Sequence, residues 1–335
     1  MKEYCYILEC PFEGRFHFGE VTRESSLSSS SIFPHSDTIF GAIIHNAFIH
    51  DKDLAQNLLQ SFQNDDITMS SGFFYIEHGE KRIFFFPKPT KYDFVLTRSD
   101  VDPKKIKKVR MLSWSVIREG YGPEKWFDEN VCIELQDGEF ICLKSEAEGL
   151  KNVRLYQTQV SPKIPILYTA MQYHYTSKDD ERKIYYQTDV FLGTDNEIKV
   201  GYYFLIKHIE SLDEKLVNLL DKSISLISSF GLGGDRSTGG GAINKIEKLP
   251  FIWEIHSEAF INLSLLLPES EDYKNGSYRV IKRGGLGIRS HLKQKTILCI
   301  QEGGVFSSCI KGKIVEVAER TLKYCKPYWL SINNI

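Results

Sequence analysis

Gly231-Leu232-Gly233-Gly234-Asp235-Arg236-Ser237-Thr238-Gly239-Gly240-Gly241 is the stretch on which the fold of this chain is decided. It holds six glycines in eleven residues, directly before the strand-like Ala242-Ile243. The run ahead of it, Ser211 to Ser229, places Leu212, Leu216, Leu219, Leu220 and Ile227 on one face and Asp213, Glu214, Lys215 and Lys222 on the other, which predicts a helix. That helix ends at Phe230-Gly231, where glycine can adopt a left-handed cap. A backbone without Cβ atoms lets a ligand come close and can aim amides at phosphate oxygens. Arg236 adds a cation, and Ser237 and Thr238 add hydroxyls. A plain linker seldom carries an Asp-Arg pair between glycine clusters.

The common nucleotide motifs do not fit. A P-loop started at Gly234 finds Gly239 in place, but Gly240 and Gly241 stand where Lys and Ser or Thr are required. The dinucleotide pattern started at Gly231 meets Arg236 where its third glycine belongs. Both motifs also follow a strand and open a helix, whereas this loop follows a helix. A mononucleotide enzyme is therefore not the expectation.

Outward from the loop, the chain alternates strand and helix signals. A strand is predicted from Tyr4 to Cys10, stopped by Pro11, followed by Phe16-His17-Phe18-Gly19 and a Ser-rich loop, Ser25 to Ser31. Ser36-Asp37 offers N-cap chemistry for a helix over Thr38 to Ile49, in which Phe40, Ile43, Ile44 and Ala47 recur at helical spacing. A short helix over Leu54 to Phe62 and a hairpin of Phe73–Glu77 with Arg82–Phe86 come next. Residues 90–160 read as an insertion, with a basic run from Lys104 to Arg110 and a second hairpin turning at Asp137-Gly138. Strands resume from Ile184, and Val200 to Ile206 is a strong candidate. Beyond Ile252 a smaller unit is predicted, with strands at Phe260–Leu267, Tyr278–Ile281, Thr296–Gln301, Lys313–Val317 and Tyr328–Ile332. Strand–helix–strand–strand–helix–strand is the ferredoxin-like order. The expected fold is α+β, with two ferredoxin-like units: residues 1–248, carrying the glycine loop and the insertion, and residues 249–335.

Composition narrows the function. The 335 residues carry a formal net charge of −2, so a uniformly basic nucleic-acid binder is excluded and any RNA contact must come from local basic stretches. The seven cysteines are scattered and form no C-x-x-C pair, which reads as reduced thiols of a cytoplasmic protein and speaks against a disulfide framework or zinc site. No signal peptide or membrane span is expected, because the N-terminal stretch is interrupted by acidic residues and no long apolar run occurs.

Helix, glycine-rich loop, strand is the order in which the RAMP superfamily of CRISPR proteins keeps its signature loop, and GLGGDRSTGGGA resembles that loop. FHFGE, the Ser-rich loop and SDTIFGAI resemble the first strand, loop and helix of the guide-capping subunit of the type III-A Csm complex, in the Cas5 group. RIFFFPKP resembles its second strand, and YRVIKRGGLG its basic Gly-Gly hairpin. The resemblance implies a non-catalytic, antiviral subunit that binds the 5′ tag of a CRISPR RNA without a cofactor or metal. It further implies a large palm-domain partner (Cas10- or Csm1-like) and a backbone RAMP partner (Csm3-like). The RNA-binding residues it points to are His17, Ser36, Gly233, Gly234, Arg236, Ser237, Thr238, Gly239, Gly240 and Gly241. Arg279, Lys282, Arg283 and Gly284 join them from the densest cationic patch, which also includes Arg289, Lys293 and Lys295. In the resembled family a thumb-like hairpin extends from the region of the insertion against guide RNA, so the run Lys104–Arg110 is either a solvated helix face or a phosphate contact.

An enzyme alternative stays open at this stage. RAMP relatives that cleave guide precursors use a His without metal, and His17 has Arg15 and His35 nearby in sequence as a cation or second proton-transfer group. Asp37 beside Ser36 reads as a cap rather than a metal ligand, and His45 and His50 lie off H-x-x-x-H spacing.

Overall fold

The structure, a computed structural model, describes residues 1–20, 29–94, 101–150, 153–163, 185–193, 198–251, 259–285 and 294–332. Strands and helices alternate in the first part: β1 (Lys2–Glu9), β2 (Gly14–Phe16), β3 (Phe18–Gly19), β4 (Ser30–Ser31), α1 (Ser36–His50), α2 (Lys52–Gln63), β5 (Ile67–Met69), β6 (Phe73–His78) and β7 (Lys81–Pro87). The middle adds α3 (Pro103–Lys108), β8 (Met111–Ser113), α4 (Trp114–Arg118), α5 (Pro123–Trp126), β9 (Cys132–Leu135) and β10 (Phe140–Leu143). Then follow β11 (Tyr156–Lys163), β12 (Tyr185–Leu192), β13 (Lys199–His208), α6 (Glu214–Ser225), α7 (Ile227–Phe230) and β14 (Lys245–Pro250). The last part is β15 (Ala259–Asn262), β16 (Val280–Arg283), β17 (Ile297–Ile300), β18 (Val305–Phe306), β19 (Lys313–Ala318), β20 (Thr321–Cys325) and β21 (Trp329–Ile332).

The main sheet runs β14-β1-β13-β6-β7-β8-β10-β9, with β5 also pairing β13. Its first four strands, in chain order β1, β6, β13, β14, therefore lie with the fourth beside the first and the third between the first and second. β13 reads as an unbroken apolar run because both of its faces are covered. On one face Phe204 stacks on Tyr6, whose hydroxyl donates to Asp221 of α6. On the other, Lys207 reaches the Trp329 carbonyl and lies 4.4 Å over the Tyr328 ring.

The expected insertion is not a separate module. β8 pairs antiparallel with β7, and β10 pairs parallel with β8, so residues 111–143 prolong the main sheet. The basic run forms α3, which exposes its lysines and buries Ile106; Val109, just past its end, is buried too. The long antiparallel ribbon of the chain is instead β11 with β12, and β12 continues onto β2.

The smaller unit departs from its prediction. Residues 259–285 and 294–332 form short paired strands and one 3-10 turn, with no α-helix among the described residues, whereas a ferredoxin-like unit needs two. The strand expected over Phe260–Leu267 stops at Asn262, whose side chain bonds the backbone and hydroxyl of Ser264 and so competes with the ladder. β20 escaped the sequence reading because Lys323 interrupts its apolar pattern. Apolar packing also runs across the expected boundary at residue 248: β14 spans it, and Phe40, Phe62 and Tyr324 pack ring to ring between α1, α2 and β20.

Candidate nucleic-acid interface

The glycine loop is a folded object docked on the segment from Arg15 to Phe18. The Gly241 amide donates to the Arg15 carbonyl at 2.7 Å, and the Gly234 amide to the His17 carbonyl at 2.9 Å. The loop closes on itself through the Leu232 amide and the Gly241 carbonyl, 2.8 Å apart. At Gly241, φ is +72° and a Cβ would stand 2.1 Å from the Leu232 carbonyl oxygen, so only glycine fits there. The amides of Gly231, Leu232, Gly234, Thr238, Gly239, Gly240 and Gly241 all have backbone acceptors. Those of Gly233, Asp235, Arg236 and Ser237 have none among the described residues. The general expectation of a phosphate-cradling loop thus narrows to four amides.

The tip of the loop faces solvent. Arg236, Ser237, Thr238 and Gly239 are exposed, and the Arg236 guanidinium forms no ion pair among the described residues. Beneath the tip lies a network the sequence reading missed. Arg15 donates to the Thr238 carbonyl at 2.9 Å and to its hydroxyl at 3.1 Å. Gln187 bridges Asp189 and Asp235, 2.7 Å to each, and Lys163 lies 3.1 Å from Asp189 and 3.6 Å from Asp235. The signal available in the sequence was Gln187-x-Asp189, polar residues two apart that both prove to be buried on one face of a strand.

His17 is buried beside this loop. Its Nδ1 is 2.8 Å from the Thr188 carbonyl, so that nitrogen carries the proton. A Cβ on Gly234 would stand 3.0 Å from the His17 ring, which fixes how closely loop and imidazole pack. His35 is no partner for proton transfer at the loop: it is buried, with Nδ1 2.8 Å from Glu302.

The cationic patch does not present itself as one surface. Lys282 and Lys295 are exposed and Gly284 is partly so; Arg279 is half exposed and paired with Asp93 at 2.9 Å. Arg289 and Lys293 lie outside the described residues. Arg283 is 4% exposed and binds Asp37 in a fork, at 2.8 and 3.1 Å. Its remaining nitrogen donates to the Gly19 carbonyl at 3.1 Å. Ser36 is also fully buried: its hydroxyl donates to the Tyr324 carbonyl and accepts from the Leu265 amide. Direct RNA contact by Arg283 and Ser36 is therefore corrected to a structural role.

The expected cap is corrected too. His35 is the N-cap of α1 without a side-chain bond, because the Asp37 carboxylate is engaged by Arg283 and by Lys323 at 2.7 Å. Burial alone would raise the Asp37 pKa, but Arg283 and Lys323 hold it well below the ordinary carboxylate range. Among the described residues no cluster of His, Cys, Asp or Glu could hold a metal ion, and no helix is long and apolar enough to cross a membrane.

A groove of about 800 Å³ opens between the middle segment and the smaller unit. Its lining holds five cations (Lys88, Lys107, Arg110, Arg154 and Arg279) and five carboxylates (Glu20, Asp93, Asp137, Glu139 and Glu302). Arg110 pairs with Glu139, Arg154 with Asp137, and Lys88 and Arg279 share Asp93, so the groove is charge-balanced overall.

Residues 256–332 match the family described as the CRISPR Csm4 C-terminal domain. The chain resembles Csm4 proteins. The protein described as "CRISPR system Cms protein Csm4" of Methanocaldococcus jannaschii is 25% identical over 345 residues, covering 93% of this chain and 88% of its own. In fold, the chain is similar to one from the crystal structure of a Csm3-Csm4 subcomplex of the type III-A CRISPR-Cas interference complex. That match has a TM-score of 0.71 and 21% identity, over 99% of this chain and 100% of the other. It is also similar to a chain of a Csm1-Csm4 cassette in complex with AMPPNP, at TM-score 0.54 and 15% identity over 98% of both chains.

Proposed function

We propose that this Csm4-like chain is the non-catalytic, guide-capping subunit of a cytoplasmic type III-A effector complex. It binds the 5′ tag of the crRNA and docks a Csm1-like palm-domain subunit and a Csm3-like backbone subunit. The carrying observation is the docked glycine loop: its exposed tip offers Arg236, the Ser237 hydroxyl and the amides of Gly233, Asp235, Arg236 and Ser237, while the Thr238 hydroxyl braces the tip on Asp235 and Arg15. Such a surface meets phosphates and splayed single-stranded nucleotides, not a duplex groove. The relatives solved with Csm3 and with Csm1 support the partner assignment. We read the β14-β1-β13-β6 arrangement with α1 and α6 as a ferredoxin-like RAMP unit, residues 1–248, followed by a smaller unit over 249–335.

The His17 site favours binding over cleavage. The imidazole is buried, and the two neighbours that could act with it are engaged elsewhere, Arg15 on Thr238 and His35 on Glu302. Incubation with precursor RNA in EDTA tests this: the expected result is intact RNA with both the wild-type protein and His17→Ala. Specific cleavage that disappears in His17→Ala would establish the endoribonuclease instead.

A further inference from the structure

The segment from Arg15 to Gly19 meets both halves of the molecule. At Arg15 and His17 it receives the glycine loop, and two residues later the Gly19 carbonyl receives Arg283 from β16. Along β16 the inward positions are Ile281 and Arg283, while Val280 and Lys282 face out. Arg283 directly precedes Gly284-Gly285, and its guanidinium fork is fully used: two bonds to Asp37 at the start of α1 and one to Gly19. Only a planar guanidinium spans a carboxylate and a carbonyl together in this way.

We propose that Arg283 is a positioning residue that sets the end of β16, with Gly284 and the outward-facing Lys282, in register with the glycine loop, by clamping β16 to Asp37 and Gly19. Arg283 itself touches no RNA. The role rests on the capping reading above. The same joint is held independently by the His35–Glu302 pair and by the Ser36 hydroxyl on the Leu265 amide, so loosening one clamp leaves the fold in place. Lys323 remains on Asp37 when Arg283 is altered, so the buried carboxylate keeps a counter-charge.

The test measures guide affinity against salt for an intact and a scrambled tag, in wild type, Arg283→Lys and Lys282→Ala. Arg283→Lys keeps the charge but cannot reach Asp37 and Gly19 at once. It should keep the wild-type salt slope and lose about tenfold in the ratio of intact-tag to scrambled-tag affinity. Lys282→Ala should lower the slope by about 0.7, as one lost phosphate contact does on a single strand. A lowered slope in Arg283→Lys would mean direct contact, and equal weakening for both RNAs would mean a merely structural role; either overturns the inference, as does an unchanged ratio. If Arg283→Lys does not fold, the triple variant Asp37→Asn, Arg283→Gln, Lys323→Gln, which removes all three buried charges of the joint together, should give the same loss of ratio. A wild-type protein that shows no tag preference overturns the capping reading, and this inference with it.

Discussion

Replacing Gly241 and Gly239 separately with alanine puts the glycine loop to a quantitative test, because the two positions share a backbone conformation and differ in space. Both have positive φ, +72° and +83°. A side chain in that region costs about 1–2 kcal/mol. Around Gly239 a Cβ meets nothing within 4 Å, so the conformational cost is the whole cost. At Gly241 the Cβ would lie 2.1 Å from the Leu232 carbonyl oxygen and 2.9 Å from its carbonyl carbon and amide nitrogen. These are backbone atoms that no rotamer change can move, and the Leu232 amide is bonded to the Gly241 carbonyl. Adding overpacking and the lost hydrogen bond brings Gly241→Ala to about 3–6 kcal/mol. In thermal unfolding, at about 2–4 °C per kcal/mol for large domains, Gly239→Ala should lose a few degrees and Gly241→Ala about three times as much. In fluorescence anisotropy with labelled guide, Gly239→Ala should bind about fivefold more weakly with its fold intact, about 1 kcal/mol, because the added methyl keeps a phosphate from approaching the loop closely. Equal losses of stability in the two variants, or Gly239→Ala as the worse, would refute the reasoning. Gly240 is a poorer probe of binding: it is buried, and its Cβ would press on the Asp235 and Gly234 carbonyl oxygens at 3.1 Å.

Three further outcomes are expected. Arg236→Ala should make the salt dependence of guide binding shallower by about 0.7 without changing the melting temperature, since the exposed guanidinium holds no protein partner among the described residues. Asp37→Ala should cost about 3–5 kcal/mol in denaturant unfolding, because Arg283 and Lys323 would be left buried without their carboxylate. The Asp37 and Glu302 carboxyls both lie below their ordinary values in the fold, Asp37 through Arg283 and Lys323, Glu302 through His35 and Ser71, in each case against the opposing effect of burial. Their contribution to stability is therefore full above about pH 5 and lost as pH falls through the carboxylate range, and Asp37→Asn should flatten that acid dependence.

Local chemistry made much of this legible in the sequence. Glycine clustering located the loop, and 3.6-residue periodicity located α1, α2 and α6 to within a few residues of their ends. What stayed hidden was long-range pairing. Arg283 sits in a basic run and reads as solvent-facing; its partner Asp37 is 246 residues away and reads as a cap. Ser36 was hidden for the same reason, since the amide it serves is Leu265. In the smaller unit the apolar runs are longer than the strands they form. Asn262 and Ser264 break the first of these by bonding each other. The Arg15–Asp189–Gln187–Asp235 network joins three separate stretches, and no local pattern announces it.

Guide binding with the tag scrambled or the spacer scrambled, each with and without the palm-domain partner, tests the capping role most directly. A capping subunit must read the tag and leave the spacer unread, because the spacer has to pair with any target. The account predicts that scrambling the tag weakens binding, that scrambling the spacer does not, and that the partner raises affinity for the intact tag by supplying a second docked surface. Equal losses from both scrambles, with no partner effect, would contradict it and leave a non-specific RNA-binding protein.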